Sequence, residues 1–352
     1  MVADRSGSRR LRIGVIASIA HRTPPRDYGP WEQVASTLTE GLVALGHEVT
    51  LFATADSITS AHLHAEAPGG YEEDPGIDAK GYEGLHNAAA FEQAGDFDIM
   101  SNQFDFMPLT YSRLVSTPVV TTIHGFSSER ILPVYRAYDD IGRYVSISDA
   151  DRHPDLSYEA TIHHGLDLAG FTFVPNPGSY LLFLGRIHPD KGTHLAIEAA
   201  RRSGLPLVIA GIVQDRAYFR DLVEPHLGQA GITYAGPVGP VERDALLGGA
   251  LALMHLISFA EPFGLSVVEA LATGTPVIAF GLGSMPELIR HGRTGFLVDD
   301  VPGAVKAIGQ IDSLHRRDCR DDVEARFTAE RMVSNYAELF ARIVSGGPSA
   351  IN

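Results

Sequence analysis

The sequence predicts an α/β protein made of two Rossmann-like, doubly wound parallel-sheet domains facing a central cleft, and three observations predict it. The chain has 352 residues, more than one hydrophobic core usually accommodates, and its 45% apolar content is enough for two cores. Short apolar runs recur with helical stretches between them and lack the polar alternation of half-exposed strands, so they read as strands buried on both faces of helix-covered sheets. The runs form two series separated by "FTFVPNPGS" (171–179), whose Pro, Asn and Gly break both periods and read as a linker.

The first series is "IGVIASIA" (13–20), "VTLFATA" (49–55), "FDIMSN" (97–102), "PVVTTIHG" (118–125), "RYVSIS" (143–148) and "ATIHHG" (160–165). The second is "YLLFLGR" (180–186), "PLVIAG" (206–211), "ITYAGPV" (232–238), "LALMHLIS" (251–258), "PVIAF" (276–280) and "GFLVD" (295–299). Domain boundaries are expected at 1–172 and 173–326. The stretch "FTAERMVSNYAELFARIV" (327–344) has apolar residues at helical spacing, so 327–352 is expected to be a closing helix and tail that crosses back to the first domain. Residues 56–95 show no strong period and are expected to be irregular. Ligands of such sheets sit at the carboxyl ends of the strands, where the chemistry-bearing loops should lie.

Lys and Arg number 28 against 43 Asp and Glu, a net charge of −15 that argues against nucleic acid or anionic lipid as partners. An anionic ligand must then find a local basic pocket. A single cysteine, Cys319, excludes an internal disulfide and a Cys-built zinc site and fits a reducing compartment. The basic start followed by Ile13 to Ala20 suits a first buried strand better than a signal peptide, and no run reaches the roughly 18 apolar residues of a membrane helix, so a cytoplasmic protein is expected. The histidines of "AHLHAE" (61–66) and "IHHG" (162–165) lack a helical i, i+4 pair with a nearby carboxylate, so no metal is expected. "GLGSMPE" (281–287) has Pro286 where a dinucleotide fingerprint needs its third glycine.

"LGRIHPDKG" (184–192) follows the first strand of the second series and puts Arg186 and Lys191 at a strand end. There they can grip a phosphate through charge-assisted hydrogen bonds worth about 1.5–3 kcal/mol each. Alternatively they are solvated surface cations. In "FAEPFGLSVVEALATGTPVIAF" (259–280) a Pro-Phe-Gly turn through Phe263 opens a helix at Gly264, Leu265 and Ser266, whose free amides form an anion site. Together with the two cations this suggests a diphosphate. Glu261 and Glu269 flank the helix start. Eight helical steps would span about 12 Å of rise, more than the ~5–9.5 Å of a glycosidase carboxyl pair, so the two acids suit hydroxylated groups on either side of a phosphate bridge. Glu261 also reads as an exposed loop acid, whereas Glu269 lies among Val267, Val268, Ala270 and Leu271 and needs a partner.

The pattern "GRIHPDKG … SFAEPFGLSVVEALATGTPVIAF … GSMPELI … GRTGFLV" resembles the retaining glycosyltransferases of family 4, which share the two-domain GT-B fold. The resemblance covers about 180–300, with a looser match in the first half. It implies a retaining hexosyltransferase that uses a nucleoside-diphosphate sugar, UDP- or GDP-linked, and works without a metal or other cofactor. The acceptor class is a small molecule, glycan or lipid-linked hydroxyl compound. Glu261 would contact sugar hydroxyls, Glu269 the ribose, and Arg186 and Lys191 the departing diphosphate, with Phe263, Gly264, Leu265 and Ser266 also at the donor. His124 in "TTIHG" (121–125) would lie by the reacting sugar; by itself it also reads as a structural histidine. Ser148 in "VSISDADRH" (145–153) matches a position facing the cleft. Glu287 matches one near the nucleotide, though an acid at a helix start is also plain helix electrostatics. Gly29 in "YGPWEQ" matches the family's glycine-rich loop, but Pro30, with no N–H to donate, stands where a second glycine is usual. "HHGLDLAGF" (163–171) matches the interdomain motif with His164 in place of asparagine, while Gly165 and Asp167 remain. A nucleotide-sugar epimerase, a glycan phosphorylase of the same architecture or a non-catalytic nucleotide-sugar-binding protein are the alternatives.

Overall fold

All the apolar runs contribute to parallel strands, and the strands pair in the order of two doubly wound sheets. The structure, a computed structural model, describes residues 9–26, 29–126, 129–176 and 178–347. Residues 1–8, Tyr28 of the glycine-rich stretch, Pro177 of the linker and the tail 348–352 lie outside the described residues. In the first sheet β1 (Arg12–Ile16), β2 (Glu48–Phe52), β3 (His62–His64), β4 (Ile99–Asn102), β5 (Val119–Ile123), β6 (Arg143–Ser146) and β7 (Tyr158–Thr161) lie in the order β3-β2-β1-β4-β5-β6-β7. In the second, β8 (Tyr180–Leu184), β9 (Leu207–Ala210), β10 (Ile232–Gly236), β11 (Ala250–His255), β12 (Val277–Phe280) and β13 (Gly295–Val298) lie in the order β10-β9-β8-β11-β12-β13. Strands β4 and β5 are buried at every position, as a sheet covered on both faces requires. The run at 160–165 overlaps β7 only through Ala160 and Thr161, because that strand starts earlier, at Tyr158.

The chain divides into two compact units. The first comprises Met1–Ile147, Arg152–Gly165 and Ala329–Asn352; the second comprises Ser148–Asp151 and Leu166–Thr328, so the expected 172/173 boundary falls inside it. Within the first unit the helix Ala329–Val344 lies close to the helix Pro30–Ala44, since a Cβ on Gly41 would overlap Val333. Its Tyr336 hydroxyl is 2.8 Å from Thr122 Oγ1 of β5, and Arg342 Nη1 donates to Glu159 Oε2 at 3.0 Å. The core of the second unit packs Leu181, Phe183, Ile197, Leu207, Ile209, Met254, Leu256 and Ile278 around its sheet. Each such side chain contributes about 1.5–3 kcal/mol when removed from water.

Residues 56–95 are not irregular as expected. They hold β3 and the helix Ala79–Glu92, capped by Asp78, whose Oδ1 accepts from Gly81 N at 2.7 Å. The buried face of this helix is His86, Asn87, Ala90 and Phe91. His86 Nε2 pairs with the Ala17 carbonyl at 3.0 Å, and burial lowers its imidazole to a pKa of about 4, so it sits in the core uncharged. Asn87 donates to the Glu83 carbonyl. Polar residues on the inner face interrupt the apolar stripe by which an amphipathic helix is recognised. Among the described residues no helix is long and apolar enough to cross a membrane.

Candidate active site

In each sheet the strand order reverses between the first and fourth strands, β1 beside β4 and β8 beside β11, and the crevice beyond such a switch point is where doubly wound sheets bind ligands. In the second unit Arg186, Lys191 and Glu261 lie just past β8 and β11, the two strands at that point. Arg186 follows β8, and its Nη1 donates to Gln214 Oε1. Residues Pro189–Lys191 form one 3₁₀ turn, and Gly192 then heads the helix Thr193–Ser203 at φ +70°. A Cβ on Gly192 would overlap the Leu256 carbonyl oxygen, so only glycine lets this turn come so close to the end of β11. That approach sets Lys191 against Glu261: Nζ donates to Oε2, with the two side chains 15% and 14% exposed, and it also lies 4.7 Å from the centroid of the Phe259 ring.

From Glu261 the chain turns into the helix Leu265–Ala272. The turn is anchored by Ser284, whose N–H donates to the Glu261 carbonyl at 3.0 Å and whose hydroxyl donates to the Phe263 carbonyl. Phe263 is buried edge-to-face against Phe327. Gly264 caps the helix at φ +102°, a conformation a side chain would strain, and it offers no side-chain cap to the Leu265 and Ser266 amides. Glu269, one helical turn on, faces inward. Its partner is Arg243 of the helix Pro240–Gly249, with Nη1 3.4 Å from Glu269 Oε1. Burial raises the Glu269 carboxyl above its ordinary value, and the Arg243 charge opposes that rise. The apolar surroundings of Glu269 demanded a partner, but the sequence does not say which cation supplies it.

A second residue absent from the sequence reading is His255, the last residue of β11. Its Nε2 lies 3.8 Å from Glu261 Oε2, is buried and has no hydrogen-bond partner. Burial lowers its pKa to about 4, so at neutral pH the imidazole is uncharged and no ion pair with Glu261 forms.

Ser148 and Glu287 also belong to the second unit. Ser148 Oγ donates to the Pro262 carbonyl at 2.6 Å, next to Glu261. The Glu287 carboxylate accepts from Asp149 N at 3.0 Å and Ala150 N at 2.7 Å, so it holds the 148–151 segment. Asp151, which closes that segment, has its pKa raised to about 7, first by burial and then by the Glu287 charge.

In the first unit His124 follows β5. Its Nε2 is 2.9 Å from Gln103 Oε1, while the Gln103 amide donates to the hydroxyls of Ser101 and Thr122, both at 2.9 Å. Since that oxygen only accepts, Nε2 carries the imidazole proton. The ring stacks between Trp31 and His164, with centroids 5.7 and 5.2 Å away, and burial lowers its pKa to about 3. His164 Nε2 is 3.5 Å from His124 Nδ1, so the histidine that departs from the family motif touches the strand-end histidine directly. Gly29 caps the helix Pro30–Ala44 with Pro30 at its first position, and a Cβ on it would lie 2.8 Å from Pro25 Cβ.

Arg186, Lys191, Glu261, Phe263, Gly264, Leu265, Ser266, Glu269, Glu287 and Ser148 thus all belong to the second unit, where Lys191 and Glu261 touch and Glu269 is paired away with Arg243. Gly29 and His124 belong to the first. Among the described residues no group of three or more His, Cys, Asp or Glu side chains is placed to hold a metal ion.

Residues 172–320 match the family described as glycosyl transferases group 1. The chain is 33% identical over 169 residues to a glycogen synthase of Mycobacterium tuberculosis, a match that spans 45% of this chain and 41% of that protein's length. It is 33% identical over 281 residues to a D-inositol 3-phosphate glycosyltransferase of Paenarthrobacter aurescens, covering 66% of this chain and 65% of that protein. Among solved structures it resembles a sucrose-phosphate synthase from Thermosynechococcus elongatus, with a TM-score of 0.79 at 20% identity over 96% of this chain and 100% of the other. It also resembles AviGT4, a glycosyltransferase involved in avilamycin A biosynthesis, with a TM-score of 0.70 at 21% identity over 96% and 99%. With two doubly wound parallel sheets the chain has the GT-B fold, and residues 172–320, most of its second unit, match glycosyl transferases group 1.

Proposed function

We propose that the protein is a retaining glycosyltransferase that moves a hexosyl group from a UDP- or GDP-linked sugar to a hydroxyl acceptor, a small molecule, glycan or lipid-linked compound, without a metal. The observation that carries this reading is the shielded Lys191–Glu261 pair at the β8/β11 switch point, beside a helix start whose amides lack a side-chain cap. An ammonium has three N–H donors, so Lys191, held at the switch point by Glu261, has donors left for a phosphate oxygen. Arg186 brings a planar guanidinium to the same strand end. The Leu265 and Ser266 amides add fixed positive dipole ends where a diphosphate would lie. Glu261 then reads the transferred sugar's hydroxyls, and Glu269, steadied by Arg243, reads the ribose.

In the transfer step the bond from the sugar's C1 to the diphosphate oxygen breaks, and a bond from C1 to the acceptor oxygen forms on the same face. The acceptor's proton passes to the departing phosphate oxygen. Arg186, Lys191 and the helix start stabilise the charge that builds on that oxygen, and no side chain serves as base. Support for the donor class comes from a structural neighbour from Anabaena, HepE, which was solved with UDP, with UDP and glucose, and with UDP-glucose.

A thermal-shift comparison of UDP-, GDP- and ADP-sugars tests the donor assignment, because a ligand at 100 times its dissociation constant stabilises by about 2.7 kcal/mol. A UDP- or GDP-sugar should raise the melting temperature, and release of nucleoside diphosphate should require an acceptor and give a product of unchanged anomeric configuration by NMR. No shift with any sugar nucleotide, or an inverted product, overturns the proposal. Conversion of donor with no acceptor present would instead mark an epimerase, and dependence on orthophosphate a phosphorylase.

A further inference from the structure

The imidazole of His255 is the unexplained polar group nearest the candidate site. It ends β11 in register with Ala279 of β12, within the apolar run "LALMHLIS", where an aliphatic side chain would fill the space without a polar atom to satisfy. Its Nε2 is buried with no hydrogen-bond partner, and a buried donor left unmade costs free energy. Glu261 Oε2 lies 3.8 Å away, beyond hydrogen-bonding distance. That same oxygen is held by Lys191 Nζ. Glu261 Oε2 therefore has two donors within reach and is bonded to one of them.

We propose that His255 is a positioning residue that takes hold of Glu261 Oε2 when Lys191 is drawn toward the phosphates of a bound donor. The proposal rests on the donor site described above. With Lys191 shared or removed, Glu261 would be a buried carboxylate short of a partner, free to leave the orientation in which it meets sugar hydroxyls. A movement of well under the width of an atom brings Oε2 onto the His255 N–H. Glu261 only accepts at this oxygen, so the imidazole carries its proton on Nε2 in the bound state. No covalent bond changes; one hydrogen bond replaces another, and the carboxylate stays in place while its cation turns to the diphosphate. His255 acts through Glu261 and touches neither the sugar nor the phosphates.

The test uses the full chain with two variants at this position, His255→Phe, which keeps the ring's bulk without an N–H, and His255→Gln, which restores a donor. His255→Phe should lower kcat/KM for the sugar nucleotide about tenfold, the scale of one pairwise interaction, while affinity for the free nucleoside diphosphate, which has no sugar for Glu261 to hold, stays within about twofold. His255→Gln should recover most of the loss, and on a Glu261→Gln background His255→Phe should add nothing. Equal losses in nucleoside diphosphate affinity and in turnover, losses that multiply between the two positions, or no loss at all would each overturn the proposal. A direct measurement separates it from the transferase reading: the His255 ring nitrogen signals, identified by their absence in His255→Phe, should shift when an intact sugar nucleotide such as UDP-glucose is titrated, without acceptor, into the wild-type protein. A shift without turnover on any sugar nucleotide would sink the transferase reading and leave this contact standing. An unmoved signal at saturation would sink the contact alone.

Discussion

Arg243 Nη1 lies 3.4 Å from Glu269 Oε1, a cation set against the buried acid of the helix Leu265–Ala272. Replacing Arg243 with Met keeps the length of the side chain and leaves Glu269 charged without a partner. The expected loss of stability at pH 7.5 is about 2–3 kcal/mol by urea denaturation, at the low end for a broken buried pair because Arg243 is partly exposed. The pH dependence has a definite sign. The Glu269 carboxyl already has a raised pKa in the folded state, so the native protein holds its proton more tightly than the unfolded chain does, and stability falls as pH rises from the ordinary glutamate value through the raised one. Removing Arg243 raises that value further, so the deficit of the variant should shrink between pH 7.5 and pH 5. A deficit that stays constant over this range would show that Glu269 is not the group involved.

The strand sequence was legible because burial on both faces leaves nothing for polar residues to do within each run. "PVVTTIHG" reads as a strand for the same reason that β5 has no exposed position. The helix Ala79–Glu92 was not legible, since two polar residues occupy its inner face, His86 bonded to the Ala17 carbonyl and Asn87 bonded back to Glu83 of its own helix. Lys191 was placed at a strand end and Glu261 beside a helix start by their motifs, but their contact depends on how closely the Gly192 turn approaches Leu256, which spacing along the chain does not carry. His255 was hidden because one histidine inside an apolar run gives no sign of which face it occupies or what waits beyond the following turn. Arg243 and Gln214 lie on elements far from their partners in sequence and carry no local mark. The grip of Glu287 on Asp149 and Ala150 is invisible for the same reason: its motif placed it at a helix start, and only folding brings residues 149 and 150 to it.

Asp151 supplies a second pH-dependent expectation. Burial and the nearby Glu287 charge raise its pKa to about 7, and its Oδ2 is buried with no hydrogen-bond partner. The native state thus binds a proton that the unfolded chain releases near the ordinary aspartate value, so this residue subtracts stability increasingly as pH climbs from about 4 to about 7 and by a constant amount above that. Asp151→Asn removes the titration and should gain on the order of 2 kcal/mol at pH 8, with the gain vanishing below about pH 4. Urea midpoints measured across this range decide it. A gain independent of pH would mean the amide stabilises through a contact of its own and not by relieving a buried charge.

Arg186 is where the proposed chemistry is most exposed to refutation. It stands at the end of β8 with Nη1 bonded to Gln214, and neither residue belongs to the core, so Arg186→Ala should leave the fold and melting temperature nearly unchanged. If the guanidinium stabilises charge on the departing diphosphate, its loss should slow turnover by about 10²–10³-fold, as loss of one preorganised charge partner does at other sites where charge develops. The loss should appear in kcat more than in affinity for the intact donor, because the charge grows only as the bond to C1 breaks. Arg186→Lys restores the charge without the planar fork and should recover part of the rate. Gln214→Ala frees the guanidinium from its hydrogen bond to Gln214 and should cost much less, since it disturbs orientation and leaves the charge in place. Turnover of Arg186→Ala within about threefold of wild type would remove Arg186 from the mechanism and leave Lys191 and the helix start as the only groups on the diphosphate.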